Sequence, residues 1–344
     1  MVWHVVLIYV LRGGGYNSME KVIIIGAGPC GLAAAAALQD KGIQPLVIEK
    51  GCLVQSVYDY PTNLKFHSTP ELLEIGDIPF ITPNERPTRN EGLEYYATVV
   101  RRKCIRVRTF EEVTSVSRNE NSTFTVLTKD RFDNHYRYEA ANVIIATGYF
   151  DWPNHLGIAG EQLPKVAHSF REAHPYVGRK VAIVGARNSG VDAALELMRV
   201  GADVTVIYRG EQLAEVVKSW VKPVFESAVS KGKIKMYWKS TVEEIKPYSI
   251  IVNMDGDKQE LDNDDVLVLT GFRPDRSFLT EVGVQTEEET GAPKFDEATM
   301  ETNVQGVFIA GVVAAISRAN EIFIENGRFH GVKIAEVIAK RQSN

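Results

Sequence analysis

Val22-Ile23-Ile24-Ile25-Gly26-Ala27-Gly28-Pro29-Cys30-Gly31-Leu32 joins a β-branched run to a glycine turn and then to the alanine-rich stretch Ala33 to Asp40. An uninterrupted apolar run that stops at glycine is the mark of a strand buried on both faces, as in a parallel sheet. The alanine-rich stretch reads as a helix ended by Gly42, and Pro45-Leu46-Val47-Ile48-Glu49 as a second strand. Strand, turn, helix and strand make a βαβ unit. In the turn, Gly26-x-Gly28-x-x-Gly31 has the spacing that lets a pyrophosphate approach the backbone at a helix N-terminus. Glu49 ends the next strand, 18 residues after Gly31, where a carboxylate accepts hydrogen bonds from a ribose diol. The plainer alternative is a glycine turn needed only for packing.

The pattern recurs 159 residues later, Gly185 standing where Gly26 does. Lys180 to Val184 is the strand, Val191 to Val200 the helix, and Asp203 to Tyr208 the following strand. Gly185-Ala186-Arg187-Asn188-Ser189-Gly190 keeps the outer glycines but carries Arg187 at the middle position, and its closing strand runs into Arg209 rather than an acid. A carboxylate there would repel a 2′-phosphate, whereas a guanidinium pairs with it in a two-pronged fork. The first site therefore suits a cofactor with a free ribose diol, and the second suits NADPH. The other reading of Arg209 is a solvated cation at a strand end.

The rest of the chain fits this frame. At 344 residues it has room for about two domains at roughly 150 residues each. Its composition, 44% apolar and 24% charged, excludes disordered, collagenous and disulfide-stapled classes. Lys and Arg total 39 against 44 Asp and Glu, a net charge of −5, so no basic field recruits nucleic acid or anionic lipid. Cys30, Cys52 and Cys104 form no C-x-x-C pair, which argues against structural zinc and a local redox dithiol; no metal site is read. Val2 to Leu11 is too short to span a bilayer and lacks the basic start of a signal peptide. Met19-Glu20-Lys21 before the first strand reads as a natural start, so residues 1–18 are expected to be an extension from a misplaced start codon. The expected location is cytoplasmic, with no membrane partner.

Outside the two units, the proline-bearing stretch Gly51 to Arg89 reads as loop and Glu91 to Lys103 as a helix. Ile105–Phe110, Thr123–Thr128 and Tyr136–Glu139 read as alternating segments. Val143 to Ala146, Val266 to Gly271 and Gly306 to Gly311 read as buried strands, and Gly331 to Lys340 as the closing helix.

These motifs resemble the two-dinucleotide-binding-domain flavoproteins. Gly26 to Gly31 is similar to their FAD motif, and Ala146-Thr147-Gly148 to the crossing out of the FAD domain. Thr270-Gly271-Phe272-Arg273-Pro274-Asp275 is similar to the crossing back, and Gly306 to Gly311 to the C-terminal FAD segment. Several further stretches narrow the match: Gly28-Pro29-Cys30-Gly31-Leu32, Phe66 to Asp77, Asn188-Ser189-Gly190 and Ile322 to Gly331. Together they resemble the YpdA branch of bacillithiol-disulfide reductases, which is similar to thioredoxin reductase without its dithiol.

The resemblance implies an α/β fold of two Rossmann-like domains, the NADPH domain inserted in the FAD domain. The expected boundaries are 19–155 and 273–344 for FAD and 156–272 for NADPH. It implies FAD on Gly26, Gly28, Pro29, Gly31, Glu49, Thr147, Gly148 and Gly311. NADPH is expected on Gly185, Arg187, Asn188, Ser189, Gly190, Arg209 and Gly271. The activity implied is NADPH-dependent reduction of a low-molecular-weight disulfide through FAD. By analogy the protein is expected to be a homo-oligomer. One departure stands out: Val312 follows Gly311 where the wider family has aspartate.

Alternatives remain at this stage. A flavin monooxygenase shares both folds, but its identifying stretch sets glycine and histidine four residues apart, and Gly160 and His168 are eight apart. A ferredoxin–NADP reductase-like carrier also lacks a dithiol, and a nucleotide-binding redox sensor is a non-catalytic option. Cys30 lies in the first helical turn, where the macrodipole is expected to lower its pKa and make it a nucleophile. The competing reading is a small side chain required beside the pyrophosphate; Cys52 and Cys104 read as structural. His67, His168 and His330 are each either a proton donor to a leaving thiolate or a packed histidine. Glu325 to Arg328 either lines the substrate side of the flavin or caps a helix.

Overall fold

The computed structural model describes residues 19–273, 277–288, 290–315 and 321–342. The proposed extension 1–18 and the Pro274-Asp275 end of the crossing motif lie outside the described residues. The chain divides into two compact units, one formed by the segments up to Trp152 and from Arg273 onward, the other by Pro153–Phe272.

The strands of the first unit are β1 (Glu20–Ile25), β2 (Leu46–Glu49), β3 (Arg106–Thr109), β4 (Glu111–Arg118), β5 (Phe124–Asp130) and β6 (His135–Ile145), with β15 (Val307–Ile309) from the chain's end. They form one sheet in the order β3-β2-β1-β6-β5-β4, with β15 also paired to β6. The pairings β3-β2-β1-β6 and β6-β15 are parallel, whereas β4-β5-β6 is an antiparallel meander. Strand β6 belongs to both parts, pairing with β5 through Ala140 and with β15 from Val143. The sequence reading divided it in two and did not include β4. Val22, Ile23 and Ile24 are fully buried, because helices Pro29–Asp40 and His330–Gln342 and the neighbouring strands leave β1 no solvent face.

Helix Arg89–Lys103 begins at a capping box. The Thr88 hydroxyl accepts from the Glu91 N–H (3.3 Å), and the Glu91 carboxylate accepts from the Thr88 N–H (2.7 Å). Arg101, Arg102 and Lys103 sit at its negative end, and Cys104 closes it with φ of 49°. Two short helices, Gln55–Tyr58 and Pro70–Leu73, stand in the stretch read as loop.

In the second unit the strands are β7 (Val166–Ala167), β8 (Lys180–Val184), β9 (Asp203–Ile207), β10 (Ile234–Tyr237), β11 (Ser240–Ile245), β12 (Ser249–Met254), β13 (Asp257–Asp262) and β14 (Asp265–Val268). The sheet β10-β9-β8-β14-β7 is parallel throughout. Helices Asn188–Arg199 and Lys222–Ser230 contribute Leu195, Leu197 and Phe225 to the core on one of its faces. The antiparallel sheet β11-β12-β13 covers the other, seating Val242, Ile245, Ile250 and Val252 against Ala182, Val184, Val266 and Val268. No helix among the described residues is long and apolar enough to cross a membrane.

Candidate active site

In the first unit the glycine turn is built by close approach. Gly26 has φ of 106°, and a Cβ there would meet the Ala146 carbonyl oxygen at 2.5 Å. A Cβ on Gly31 would come within 2.1 Å of the Gly26 carbonyl oxygen. Gly28 differs from both. Its φ of −71° suits any residue, and a Cβ on it would meet nothing within 4 Å. Neither the backbone nor the packing requires glycine at 28, and its bare Cα leaves room for an external ligand. It also forms the N-cap of helix Pro29–Asp40, whose first N–H groups have no partner within the helix. This is an anion cradle of the kind a dinucleotide pyrophosphate fills.

Glu49 ends β2, buried, with one carboxylate oxygen accepting from the Ala27 N–H (2.8 Å) and the other from the Gly51 N–H (2.8 Å). Burial raises its pKa, opposed by those two N–H groups and by Lys50. The N–H bonds fix the carboxylate at the rim of the glycine turn and leave lone pairs for a diol. Thr147 is exposed beside Gly148, whose φ is 73°, directly after β6.

Cys30 does not follow the expectation drawn from the helix dipole. Its pKa is pushed up to about 12, first by burial and then by the Glu325 carboxylate. The side chain is wedged against backbone: a Cβ on Gly311 would lie 2.9 Å from the cysteine Cβ, and one on Gly327 would lie 2.9 Å from its Sγ. At neutral pH the group is a thiol. The elements around it are tied together. The Ser68 hydroxyl donates to Glu325, and Arg328 Nη1 donates to the carbonyls of Glu71 (2.8 Å) and Glu74 (2.6 Å). The Tyr60 ring packs edge-on to Phe66 and Phe150, and burial raises its hydroxyl pKa.

His330 takes the packed role. Its Nδ1 accepts from the Gly311 N–H at 3.2 Å, and burial, helped by Lys333, lowers its pKa to about 4. The neutral imidazole thereby holds the start of the turn Gly311–Ala314, where Val312 replaces the aspartate of the wider family.

The second unit repeats the glycine geometry. Gly185 has φ of 115°, and a Cβ on Gly190 would meet the Gly185 carbonyl oxygen at 2.0 Å. Arg187 is the exposed N-cap of helix Asn188–Arg199, with φ of −88°, so the backbone accepts a side chain there. Ser189 is exposed beside it. The Asn188 side chain is committed elsewhere, donating to the Val216 carbonyl (2.7 Å) and accepting from the Lys218 N–H (3.0 Å). Lys218 Nζ in turn pairs with Asp192 at 2.7 Å, pinning that loop to the helix. Arg209 is exposed after β9. Beside it, the Lys239 N–H donates to the Gly210 carbonyl (3.1 Å), and Lys239 Nζ pairs with Glu211 (2.5 Å). The sequence reading missed Lys239, which meets Gly210 and Glu211, the residues after Arg209, only because β10 lies next to β9. Gly271 has φ of 92°, and its carbonyl accepts from the Asn154 N–H at 2.9 Å.

Two nucleotide-type turns on parallel sheets, one with an acidic and one with a basic strand end, are the geometry of a flavin- and pyridine-nucleotide-dependent enzyme. The family model for pyridine nucleotide-disulphide oxidoreductases matches residues 23–311. The chain belongs to this family. Among its relatives is the bacilliredoxin reductase Bdr of Bacillus subtilis (strain 168), 51% identical over 94% of this chain and 99% of that one. The solved structure of bacillithiol disulfide reductase Bdr (YpdA) from Bacillus cereus is 52% identical, covers 94% of this chain and all of its own, and superposes with a TM-score of 0.92. The Staphylococcus aureus counterpart is 43% identical with a TM-score of 0.90, over 94% of this chain and 99% of its own. This family member is an oxidoreductase, and its cofactors are FAD and a nicotinamide nucleotide.

Proposed function

We propose that the protein is an NADPH-dependent flavoenzyme that reduces a low-molecular-weight disulfide, with bacillithiol disulfide as the substrate. The observation that carries the proposal is its near full-length similarity to two solved enzymes named for that substrate. The first unit is the FAD domain and the second the NADPH domain. Gly26, Gly28, Pro29 and Gly31 form the FAD pyrophosphate cradle, to which the N–H groups that follow Pro29 donate. Glu49 holds the ribose diol, and Thr147, Gly148 and Gly311 bring backbone close to the rest of the cofactor. In the second unit Gly185, Arg187, Ser189 and Gly190 hold the NADPH pyrophosphate, Asn188 contributing its backbone while its side chain holds the 216–218 loop. Arg209 reads the 2′-phosphate, and Gly271 brings backbone to the nicotinamide half.

When bound, the flavin supplies the two-electron chemistry that links NADPH oxidation to disulfide cleavage. Cys30 remains a neutral thiol that shapes the floor of the cradle. The enzyme works in the cytoplasm as a homo-oligomer.

The test is NADPH oxidation with bacillithiol disulfide, glutathione disulfide, a bacilliredoxin, ferredoxin and oxygen as separate acceptors. Turnover with bacillithiol disulfide alone, at least tenfold above the others, is the expected outcome. Turnover only with bacilliredoxin would move the acceptor to a protein, as the name of the B. subtilis relative indicates. Replacing Arg209 with alanine removes a charge-assisted pair worth about 1.5–3 kcal/mol, so KM for NADPH should rise roughly 10- to 100-fold while KM for NADH stays put.

A further inference from the structure

His155, Glu161 and His168 lie in the second unit, outside both nucleotide turns, and no step proposed above uses them. One ligand atom from each lies within 4.8 Å of the other two. His155 Nδ1 stands 3.4 Å and His168 Nε2 3.8 Å from the same oxygen, Glu161 Oε1. As hydrogen bonds these contacts are poor, since imidazole–carboxylate bonds close to about 2.8 Å. The shorter of them matches the edge of a coordination polyhedron, and the longer lies about half an ångström beyond it. Donors at about 2.0–2.1 Å from a tetrahedral ion are separated by roughly 3.3 Å.

The carboxylate is also held in place before any ligand arrives. Glu161 is buried, and its two oxygens accept from the N–H groups of Leu156 and Gly157, both at 2.8 Å. The backbone that carries it is anchored to β11, where the Ile245 N–H donates to the Ala159 carbonyl at 2.9 Å. The His168 ring is partly buried, with Nδ1 lacking a hydrogen-bond partner, so its Nε2 edge is the ring's polar outlet. His155 lies half-exposed over it, ring centroids 4.7 Å apart and planes at 71°, so both rings face the carboxylate without stacking on each other.

We propose that His155, Glu161 and His168 form a site for one divalent transition-metal ion of the zinc class, with water in the fourth position. Two imidazoles and one carboxylate suit zinc or its neighbours rather than magnesium or calcium, which take oxygen donors. The ion cross-links both ends of the 155–168 segment, whose ligands are too far apart in sequence for a spacing motif. It is separate from the flavin chemistry and does not depend on the substrate assigned above.

The experiment uses the full-length flavoenzyme, stripped with EDTA and freed of it, titrated with Zn²⁺ by calorimetry and with Co²⁺ by visible absorption beyond the flavin band. One equivalent per chain is expected, with a tetrahedral Co²⁺ spectrum free of thiolate charge transfer. His155→Ala, at a half-exposed position where folding is little at risk, should weaken binding at least tenfold, and His155→Ala with His168→Gln should abolish it. Circular dichroism and the flavin spectrum monitor folding of each variant. Binding weaker than roughly 100 μM, equal binding by the double variant, or a thiolate band would each overturn the site.

Discussion

Taking the enzyme from about pH 7.5 to about pH 4.5 should remove about 2.5 kcal/mol of stability from the first unit through one residue, His330. Its folded pKa is lowered to about 4 from the ordinary 6.5, because burial and the nearby Lys333 charge disfavour the charged ring; Nδ1 meanwhile accepts from the Gly311 N–H. A depressed histidine pKa means that the unfolded chain binds the proton first. The stabilisation is therefore complete above the unfolded value and disappears as pH falls toward the folded one. At about 1.4 kcal/mol per pH unit, most of that interval is crossed by pH 4.5. Protonation would also turn the acceptor of the Gly311 N–H into a donor, loosening the turn after β15. The assay is urea unfolding of the holoenzyme at a series of pH values, followed by circular dichroism and by the rise in flavin fluorescence on release. Other groups titrate too, so the informative quantity is the difference from His330→Asn, which retains an acceptor but has no proton to gain. The variant should start less stable at pH 7.5 and converge with the wild type by pH 4.5. Parallel profiles would refute the reasoning, because they would mean that His330 titrates alike in both states.

Two further outcomes follow from single sites. With its pKa pushed up to about 12, Cys30 should resist iodoacetamide at pH 7.5 while the exposed Cys104 is alkylated, as read by peptide mass spectrometry; prompt labelling of Cys30 would contradict its raised pKa. Thr88→Ala breaks the capping box at the start of helix Arg89–Lys103 and should lower stability by about 1 kcal/mol without changing the nucleotide preference, and no loss in urea midpoint would show that the cap is idle.

Much of the core was legible in the sequence because its signals are local. Gly26 and Gly185 need positive φ, and Gly31 and Gly190 need room against a carbonyl, so their spacing reports a geometry set within a few residues. The buried runs at Val22–Ile25, Val143–Ile145 and Val266–Val268 announce parallel strands because both faces of each meet protein. Among the strands that escaped the reading, β11 to β13 have no such mark. In β13 nearly every side chain is exposed, and β11 and β12 alternate imperfectly around a bulge between Val242 and Glu244. Their pairing is chosen by the face of the parallel sheet they cover. Lys239 was invisible because strand order rather than sequence distance brings it to Gly210 and Glu211.

By itself, the sequence determined two nucleotide folds, the sign of charge at each strand end and the order in which the segments interleave, because each depends on neighbouring residues. Tertiary structure alone decided the state of Cys30. The first helical turn argues for a thiolate, but Gly311, Gly327 and Glu325, some 300 residues away, remove water and add a negative charge, and desolvation outweighs the dipole. The convergence of His155 and His168 on one oxygen of Glu161 was likewise set by folding, which brought together donors that sequence spacing had left unrelated.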